Sequence, residues 1–394
     1  MILGASYTQT PLFEAAKKMG LFTVAASIPG DYPGFALADE TCYVDISDPQ
    51  AVVEAAREAD VDGVATCGLD LGMAAIGKVC ETLNLPGPIN NSGFLASNKF
   101  EMKKALAAAG VSTARFLCIH NEDELEEGMK KLPFPLILKA VDLMGGRGIY
   151  RCDTEEEVRT YYQRVKQETK KEYCLLEEFI QGELFGVEAM VQNGKIMYML
   201  PNNTESFVGN TPTPVGHSVP FRELDVYGEK IEKEVTGAIR ALGLDNCPVN
   251  CDLLKKDGNV YIIELTGRSG ATGLSEIVSR YFGIDYYETI LKVALGMDVA
   301  PSFEHPGVSP SVLTHTLISD QTGTLKKINM PKTLDAGIFE LSFNIEKGDF
   351  VRKYTNGRDR IGQIFIEGQS LDECEHILKK TLSQITLNLE GETC

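Results

Sequence analysis

The sequence has no tryptophan, only 5 histidines, and far fewer basic residues than acidic ones. Its 38 Lys and Arg stand against 56 Asp and Glu, which gives a formal net charge of −18 at pH 7. Proteins that bind duplex nucleic acid or anionic membranes need a cationic surface, so we expect neither as a partner. Any phosphate group would have to be bound by a few local Lys, Arg and backbone N–H groups, together with a cation.

The 10 cysteines include no CxxC pair and no Cys/His cluster with the spacing of a zinc site. Scattered free thiols are typical of a reducing compartment. No apolar run approaches the roughly 18 residues that a membrane span needs, and the N-terminus does not resemble a signal peptide. We therefore expect a cytoplasmic protein. Residues 1–4 form a very short first strand, which suggests that a few preceding residues are missing.

Length alone predicts two to three domains, and the pattern changes near residue 98 and again near residue 300. Residues 1–97 alternate strand-like and helix-like segments, including a strand at 61–66, which predicts a small parallel sheet covered by helices. Residues 98–299 begin at an Asn98 helix cap and predict an α+β unit with a small lobe at about 112–182. Residues 300–394 are mostly strand-like. The GxGxxG dinucleotide fingerprint is absent.

Three finer expectations concern single elements. Residues 201–220 are rich in Thr, Pro and Gly, which predicts a long irregular loop of functional importance or disorder. Residues 274–295 predict one continuous helix, and residues 371–387 predict a closing helix.

Residues 248–254 and 260–266 predict a hairpin that carries two carboxylates. A three-residue loop at 257–259 would pair Lys256 with Val260 and place Asp252 opposite Glu264. Cross-strand neighbours lie about 5 Å apart, where like charges repel unless a cation lies between them. Oxygen ligands of this kind suit Mg²⁺ that bridges nucleotide phosphates, and Thr266 continues the same face. The alternative is an ordinary hairpin whose carboxylates point to solvent.

Lys139 ends an otherwise apolar strand, and a Gly-rich run follows at residues 144–148. Burying an unpaired ammonium group is costly, so this lysine indicates a bound anion. Glycines allow backbone N–H groups to approach phosphate closely. The Walker pattern GxxxxGK[ST] is absent. The alternative is a lysine whose ammonium group reaches solvent before a flexible turn.

Other candidates are weaker when they are taken singly. Arg268, after the hairpin, could stabilise charge on a transferred phosphoryl group. Lys99 begins a helix and could equally be a surface residue. At residues 177–180, Glu-Glu-Phe-Ile ends an apolar strand and could hold a base or simply link two units. His217 could contact a substrate or be inert.

Taken together, these residues resemble the ATP-grasp superfamily, in the branch that contains biotin carboxylase, carbamoyl-phosphate synthase and the L-amino-acid ligases. The resemblance covers nearly the whole chain. It implies an α/β and α+β fold with a Rossmann-like domain at 1–97, an ATP-grasp domain at 98–299 and a β-rich cap at 300–394. It also implies ATP and Mg²⁺ (or Mn²⁺) as cofactors.

The resemblance further implies a role for each candidate residue. Lys99 and Lys139 look like the phosphate-binding lysines, and Arg268 looks like the catalytic arginine. The remaining positions resemble a phosphate lid (Gly145, Gly146 and Gly148), an adenine hinge (Glu177, Glu178, Phe179 and Ile180), a ribose contact (Glu183) and metal ligands (Asp252, Glu264 and Thr266). Many members have Asn where this chain has Thr266.

The expected activity is that of a carboxylate–amine ligase, which forms an amide or peptide bond through an acyl phosphate and releases ADP and phosphate. His217 and the 201–220 segment would shape the acceptor site. Small carboxylates and amines are the expected partners, with a homodimer common among relatives. Two alternatives stay open: an enzyme that activates bicarbonate or another carboxylate for a different acceptor, and a nucleotide-binding protein without turnover.

Overall fold

The computed structural model describes residues 1–143, 147–209, 212–304 and 310–391. Its strands are β1 (Ile2–Leu3), β2 (Val24–Ser27), β3 (Glu40–Tyr43), β4 (Phe116–Ile119), β5 (Leu136–Lys139), β6 (Ile149–Cys152), β7 (Cys174–Glu178), β8 (Glu183–Gln192), β9 (Lys195–Val208), β10 (Pro212–Val219), β11 (Cys247–Lys256), β12 (Asn259–Thr266), β13 (Ser311–Leu317), β14 (Gly323–Asn329), β15 (Ile338–Phe343), β16 (Phe350–Val351), β17 (Gly362–Gly368) and β18 (Thr386–Glu390). Its α-helices are α1 (Thr10–Lys18), α2 (Pro33–Leu37), α3 (Pro49–Glu58), α4 (Met73–Leu83), α5 (Asn90–Ser97), α6 (Lys99–Ala108), α7 (Glu122–Lys131), α8 (Glu155–Glu168), α9 (Leu224–Leu242), α10 (Leu274–Phe282), α11 (Tyr286–Ala294) and α12 (Leu371–Leu382).

The N-terminal strands form a parallel three-stranded sheet in the order β1-β2-β3. The expected strand at 61–66 is wrong, because the structure has only isolated bridges there: Ala65 to Ile2, and Cys67 to Ser269. The second bridge joins the N-terminal sheet to the segment that follows β12. A backbone hydrogen bond of 3.0 Å from Gly68 N to Ser269 O supports the same junction.

Strands β4 to β7 form a four-stranded sheet in the order β4-β7-β5-β6, packed against α7 and α8; we call this unit the small lobe. Its core is apolar and fully buried, with Leu136, Leu138 and Leu176 at 0% exposure. Because successive side chains point to opposite faces of a strand, Leu136 and Leu138 face the core, and Lys139 at the end of β5 lies on the other face.

The largest sheet has eight strands in the order β12-β11-β8-β9-β10-β13-β17-β15, and we call it the central sheet. It crosses the expected boundary at residue 300, since β13, β15 and β17 lie beyond that point. Helix α9 packs on the β11–β12 hairpin side, and α10 lies near β10 and β13. Among the described residues, no helix combines the length and apolar character that a membrane crossing requires.

The expected irregular loop at 201–220 is wrong, because most of it is the hairpin of β9 and β10. Residues 210 and 211 lie outside the described residues. Proline is tolerated in strands mainly at edges and bulges, and here Pro214 stands directly before a register shift at Val215. The Thr, Pro and Gly content therefore reflects a bulged hairpin.

The two helix predictions also need correction. The expected helix at 274–295 is two helices, because Gly283 adopts φ +67° after α10 and Asp285 then caps α11 through its side chain. The expected helix at 371–387 ends at Leu382. The following segment alternates polar and apolar residues, and it pairs as β18 with β14.

Candidate active site

A cavity of about 660 Å³ lies between the small lobe and the central sheet. It contains most of the predicted site residues: Lys99, Lys139, Glu177, Glu178, Phe179, Ile180, Glu183, His217, Asp252, Glu264 and Arg268. These residues come from α6, the small lobe and five strands or turns of the central sheet. The structure therefore brings together side chains that are up to 169 positions apart in the chain, from Lys99 to Arg268.

Asp252 and Glu264 lie directly opposite each other on β11 and β12, as expected. The predicted turn is wrong, because Lys256 pairs with Asn259 and the loop therefore has two residues instead of three. A β-bulge then adds one residue on β12, at Ile263, and restores the predicted register. The shorter turn and the bulge cancel each other.

The paired carboxylates form an electrostatically unfavourable pair as they stand. Burial, and then the charge of Glu264, raise the pKa of Asp252 to about 7. Lys99 offsets part of this, since its Nζ lies 3.2 Å from Glu264 Oε2. A divalent cation between the two carboxylates would remove the repulsion, so the residues present fit Mg²⁺. Among the described residues, no group of three or more His, Cys, Asp or Glu side chains is placed to hold a metal. The remaining ligands of an ion bound by Asp252 and Glu264 would therefore be phosphate oxygens and water.

Thr266 is buried at 2% exposure, and its Oγ1 has no hydrogen-bond partner. It is not among the described residues that line the cavity. The residue directly opposite it is Asn250, which does line the cavity. The asparagine that lines the cavity is therefore on β11, directly across the hairpin from Thr266, the position at which the resemblance leads us to expect Asn.

Two lysines that line the cavity, Lys103 and Lys139, share one buried carboxylate. Glu177 Oε2 accepts from Lys139 Nζ at 2.9 Å and lies 3.4 Å from Lys103 Nζ. Burial alone would raise the pKa of Glu177, but the charges of Lys103 and Lys139 lower it below its usual value. Glu177 is thus the counterion of two lysines at the start of the expected hinge. Lys103 was not predicted, although it lies one helical turn after Lys99 on α6, a spacing that places both on one face.

The rest of the expected adenine hinge lies at the same cavity wall. Phe179 stacks against the Arg151 guanidinium, with 4.6 Å between the charged carbon and the ring centroid. Glu178 pairs with Arg115 at 2.7 Å. Glu183 is 79% exposed and lies 3.0 Å from Lys255 Nζ. Apolar side chains complete this wall, namely Ile137, Ile149, Ile180, Leu184 and Leu254.

The expected phosphate lid can be placed only in part. Gly145 and Gly146 lie outside the described residues. Gly148 has φ +63°, and its carbonyl accepts the Ala140 N–H at 2.7 Å. A Cβ there would lie 2.8 Å from the Ala140 side chain, so the turn after β5 requires glycine at this position.

Arg268 is buried and held on three sides. Asp70 Oδ1 accepts from its Nε at 2.7 Å and lies 2.6 Å from the second terminal nitrogen. Its Nη1 donates to Asn250 Oδ1 at 3.1 Å and to the Ser269 carbonyl at 2.9 Å. Asp70 comes from the N-terminal unit and was not predicted. Its position just beyond the expected 61–66 segment could have suggested it, because ligands of α/β sheets collect at the carboxyl ends of strands.

His217 lies on β10 and is buried at 6% exposure, rather than in a loop. Its Nδ1 lies 3.1 Å from Asn202 Oδ1 and 3.3 Å from Thr204 Oγ1. Burial lowers the pKa of His217 to about 4, so the imidazole is neutral at pH 7. It can therefore exchange hydrogen bonds with a substrate but carries no charge for it.

Two family models match the chain. Residues 132–276 match the ATP-grasp domain, and residues 315–390 match the L-amino acid ligase C-terminal domain 2. The first range contains Lys139, Glu177, Asp252, Glu264 and Arg268, and the second contains β17.

Solved structures and curated proteins agree with these matches. The crystal structure of phosphoribosylglycinamide synthetase from Anaerococcus prevotii is 37% identical, with a TM-score of 0.83 over 99% of this chain and 98% of that chain. The L-amino acid ligase from Bacillus licheniformis is 22% identical, with a TM-score of 0.85 and the same coverage, and shows the same fold. The L-arginine-specific L-amino acid ligase of Bacillus subtilis is 21% identical over 75% of this chain and 72% of its own length.

Proposed function

The chain belongs to the carboxylate–amine ligase branch of the ATP-grasp superfamily, and we propose that it joins a small carboxylic acid to an amine at the cavity described above. ATP-dependent formation of a C–N bond is the activity of this branch. One observation carries the assignment of the site: Asp252 and Glu264 face each other in a cavity that Lys99, Lys103 and Lys139 also line.

ATP would lie with its base against Phe179 and Ile180 and its phosphates toward the three lysines. Asp252 and Glu264 would hold Mg²⁺, which supplies two positive charges to the phosphate groups when it is bound. Lys99 pairs with Glu264 in the structure, and its ammonium group could bind a phosphate oxygen in place of this carboxylate when ATP is present. Glu177 keeps Lys103 and Lys139 oriented at the same time. Phosphoryl transfer depends mainly on such positioning and charge neutralisation, and it requires no protein nucleophile.

The substrate carboxylate would attack the γ-phosphate, which gives an acyl phosphate and ADP. The amine then attacks the acyl carbon, and phosphate leaves. Arg268 lies beside Asn250 and Asp252, where one positive charge can stabilise the negative charge that develops in both steps. Neutral His217 and the neighbouring hydroxyl groups of β9 would bind the acceptor through hydrogen bonds.

The test is a screen for ADP and phosphate release over pairs of amino acids and over small carboxylic acids with amines. We expect release that requires both a carboxylate and an amine. Bicarbonate is the comparison substrate: release with bicarbonate alone would favour the carboxylate-activating alternative. Tight ATP binding without ADP formation in any mixture would favour a protein that only binds nucleotide.

Glu264→Gln is the matched variant for this screen, because it keeps the side-chain shape and removes the charge. We expect it to retain the fold and to lose about 10²-fold or more in ADP formation, as when one electrostatic stabiliser is removed. Glu229→Gln, at an exposed position on α9, is the control and should behave as wild type. Full ADP formation by the Glu264→Gln variant would refute the metal role.

The 37% identical structure favours a second candidate within the same chemistry. Its name, phosphoribosylglycinamide synthetase, concerns a phosphorylated ribosylamine. We propose glycine with 5-phosphoribosylamine as a separate arm of the screen. Saturable ADP release that needs both compounds, and that no amino-acid pair reproduces, would establish this candidate over peptide-bond formation. A cytoplasmic location, a homodimer and the division into 1–97, 98–299 and 300–394 are further proposals.

A further inference from the structure

Glu188 lies near the middle of β8 and is fully buried, with 0% exposure. It is not one of the described residues that line the cavity, and the proposed mechanism does not use it. Burial raises the pKa of Glu188 to about 8. Buried carboxyl groups are costly unless they are hydrogen-bonded, so the contacts of this side chain indicate its role.

Glu188 accepts hydrogen bonds from two neighbouring segments. Its Oε1 accepts from Asn250 Nδ2 on β11 at 2.8 Å and from the Gly270 backbone N–H at 3.1 Å. Its Oε2 accepts from the same Gly270 N–H at 3.2 Å. A Cβ at residue 270 would lie 2.6 Å from Glu188 Oε1, so the backbone can approach the carboxyl group this closely only because residue 270 is glycine.

The Asn250 side-chain amide connects this carboxyl group to Arg268. Its Nδ2 donates to Glu188, and its Oδ1 accepts from Arg268 Nη1 at 3.1 Å. The reverse orientation would place the amide oxygen against the carboxyl oxygen and the amide NH₂ group against the guanidinium N–H. Only one orientation therefore satisfies both neighbours, and Asn250 is held from both sides.

The peptide group between Ser269 and Gly270 makes a second connection of the same kind. Its N–H donates to Glu188, and its carbonyl accepts from Arg268 Nη1 at 2.9 Å. The Gly68 N–H donates to the same carbonyl at 3.0 Å. Two amide groups thus bridge Glu188 and Arg268 Nη1, and each of them donates to the carboxyl group and accepts from the guanidinium.

The charge of Glu188 and its hydrogen bonds predict opposite effects on catalysis. A second carboxylate near Arg268 offsets part of the positive charge, as Asp70 already does, and would weaken the interaction with a developing negative charge. The two amide bridges instead fix the direction in which Nη1 points. Direction matters in a preorganised site, because a displacement of about 1 Å can cost on the order of 10²-fold in rate.

We propose that Glu188 is a positioning residue: through the Asn250 amide and the Ser269–Gly270 peptide it holds the Arg268 guanidinium in the orientation that stabilises the transferred phosphoryl group. Glu188 itself touches neither substrate nor nucleotide. The proposal rests on the proposed ligase function for the role of Arg268. It adds to the site a buried residue that the sequence did not single out.

The test compares two substitutions that both remove the carboxyl group and differ in the acceptor that they leave. Glu188→Gln keeps an oxygen that can accept from Asn250 and Gly270, whereas Glu188→Met has a similar volume and no carboxyl or amide oxygen. Glu234→Met is the matched control. Glu234 is also buried, at 7% exposure, accepts the Ser112 backbone N–H at 2.7 Å and does not line the cavity.

Kinetics uses a substrate pair from the screen. We expect Glu188→Met to lower kcat about 10²-fold and to leave the KM of ATP within about twofold of the wild-type value. Glu188→Gln should recover about tenfold or more of this loss. Glu234→Met should lower the free energy of unfolding and keep the wild-type kcat, which separates lost stability from lost positioning.

Three kinetic results would overturn the proposal. They are a wild-type kcat in Glu188→Met, equal losses of kcat in Glu188→Met and Glu188→Gln, and an equal loss in the Glu234→Met control. If Glu188→Met does not fold, Asn250→Ala takes its place, because it removes one of the two bridges and leaves Glu188 bonded to Gly270. An unchanged kcat in Asn250→Ala would then contradict the proposal.

Crystal structures of the same variants give a readout that needs no substrate. In Glu188→Gln, Arg268 Nη1 should keep both of its contacts, with Asn250 and with the Ser269 carbonyl. In Glu188→Met at least one of these contacts should lengthen beyond roughly 3.5 Å, and an unmoved guanidinium there would refute the positioning role. If the screen finds no substrate pair, the ligase proposal fails, and the crystal structures still decide whether Glu188 holds Arg268.

Discussion

At the scale of single residues, the Asp70–Arg268 ion pair is a side-chain contact between the N-terminal unit and the cavity. Both side chains are largely buried, with 10% exposure for Arg268 and 21% for Asp70. Breaking a buried pair by removing one partner leaves an uncompensated charge. We therefore predict that Asp70→Ala lowers the free energy of unfolding by on the order of 3 kcal/mol.

Asp70→Asn should cost less, because its amide oxygen can still accept from Arg268. Asp31→Ala, at an exposed aspartate of the same unit, is the control. Urea unfolding measures all three variants. A free energy for Asp70→Ala within about 0.5 kcal/mol of the wild type would show that solvent or another group compensates Arg268.

His217 gives a prediction with a defined sign in pH. Burial lowers its pKa from 6.5 to about 4, so between these pH values the unfolded chain binds a proton that the folded chain does not. The free energy of unfolding must then fall as pH falls through this window, by about 3 kcal/mol in total from this group. Below about pH 4 no further loss comes from His217.

The measurement is the difference in pH dependence between wild type and His217→Gln from pH 7.5 to 4. The variant should lose less stability over this range, whatever its absolute stability at pH 7.5. His376→Gln, at an exposed position on α12, should retain the wild-type slope. Parallel curves for wild type and His217→Gln would contradict the burial of this imidazole in its neutral form.

The site residues that the sequence predicted most strongly share one property: each stands in a local pattern. Lys139 interrupts an apolar strand, and Asp252 and Glu264 pair across a short turn. Asn250 lacked such a pattern, and Asp70 had only its position after the expected 61–66 strand. Both residues matter through Arg268, which is 198 positions from Asp70. Proximity of this kind depends on how the units pack and has no short-range signature.

At the scale of elements, the β11–β12 turn determines where the two carboxylates lie. Asp257 and Gly258 both have positive φ, at 48° and 72°, as a tight two-residue hairpin turn requires. Asp-Gly is the typical sequence of a two-residue hairpin turn, so the predicted three-residue loop was wrong. The bulge at Ile263 had no sequence signal, yet it restored the predicted pairing.

A change of glycine to alanine should have opposite effects on stability at Gly258, in this turn, and at Gly228, inside α9. Gly258→Ala should destabilise the protein by about 1 kcal/mol, because alanine is strained at positive φ. Gly228→Ala, inside α9 and with a built Cβ no closer than 3.5 Å to Leu224, should stabilise it. The gain should be about 0.5–1 kcal/mol, the difference in helix propensity. Thermal unfolding measures both; a stabilising Gly258→Ala would exclude the positive-φ turn.

The wrong predictions of secondary structure have different physical causes. Composition suggested a loop at 201–220, but a bulge accommodates its prolines within a paired strand. The helix at 274–295 is interrupted by Gly283 and restarted by Asp285, a break that a continuous apolar stripe concealed. In each case pairing or capping outweighed composition.

At the scale of the whole molecule, the ATP-grasp fold was predictable because motifs in the expected order span nearly the entire chain. The way in which the sheets join was not predictable: the central sheet continues from residues 183–266 into residues 311–368 without regard to the expected boundary. Pairing of β10 with β13 creates this continuity. It places His217 on β10 and the Asp252–Glu264 pair on one sheet.

In the proposed binding mode, a protein of net charge −18 holds the nucleotide phosphates beside two carboxylates, so nucleotide binding should depend on a cation. AMP-PNP with Mg²⁺, at 100 times its Kd, should raise the free energy of unfolding by about 2.7 kcal/mol. With EDTA the nucleotide phosphates face Asp252 and Glu264 directly, so most of this gain should disappear. In the Glu264→Gln variant the two conditions should differ less, because one of the repelling charges is already absent. Equal stabilisation of the wild type with Mg²⁺ and with EDTA would mean that the lysines alone bind the phosphates and that the carboxylate pair has another role.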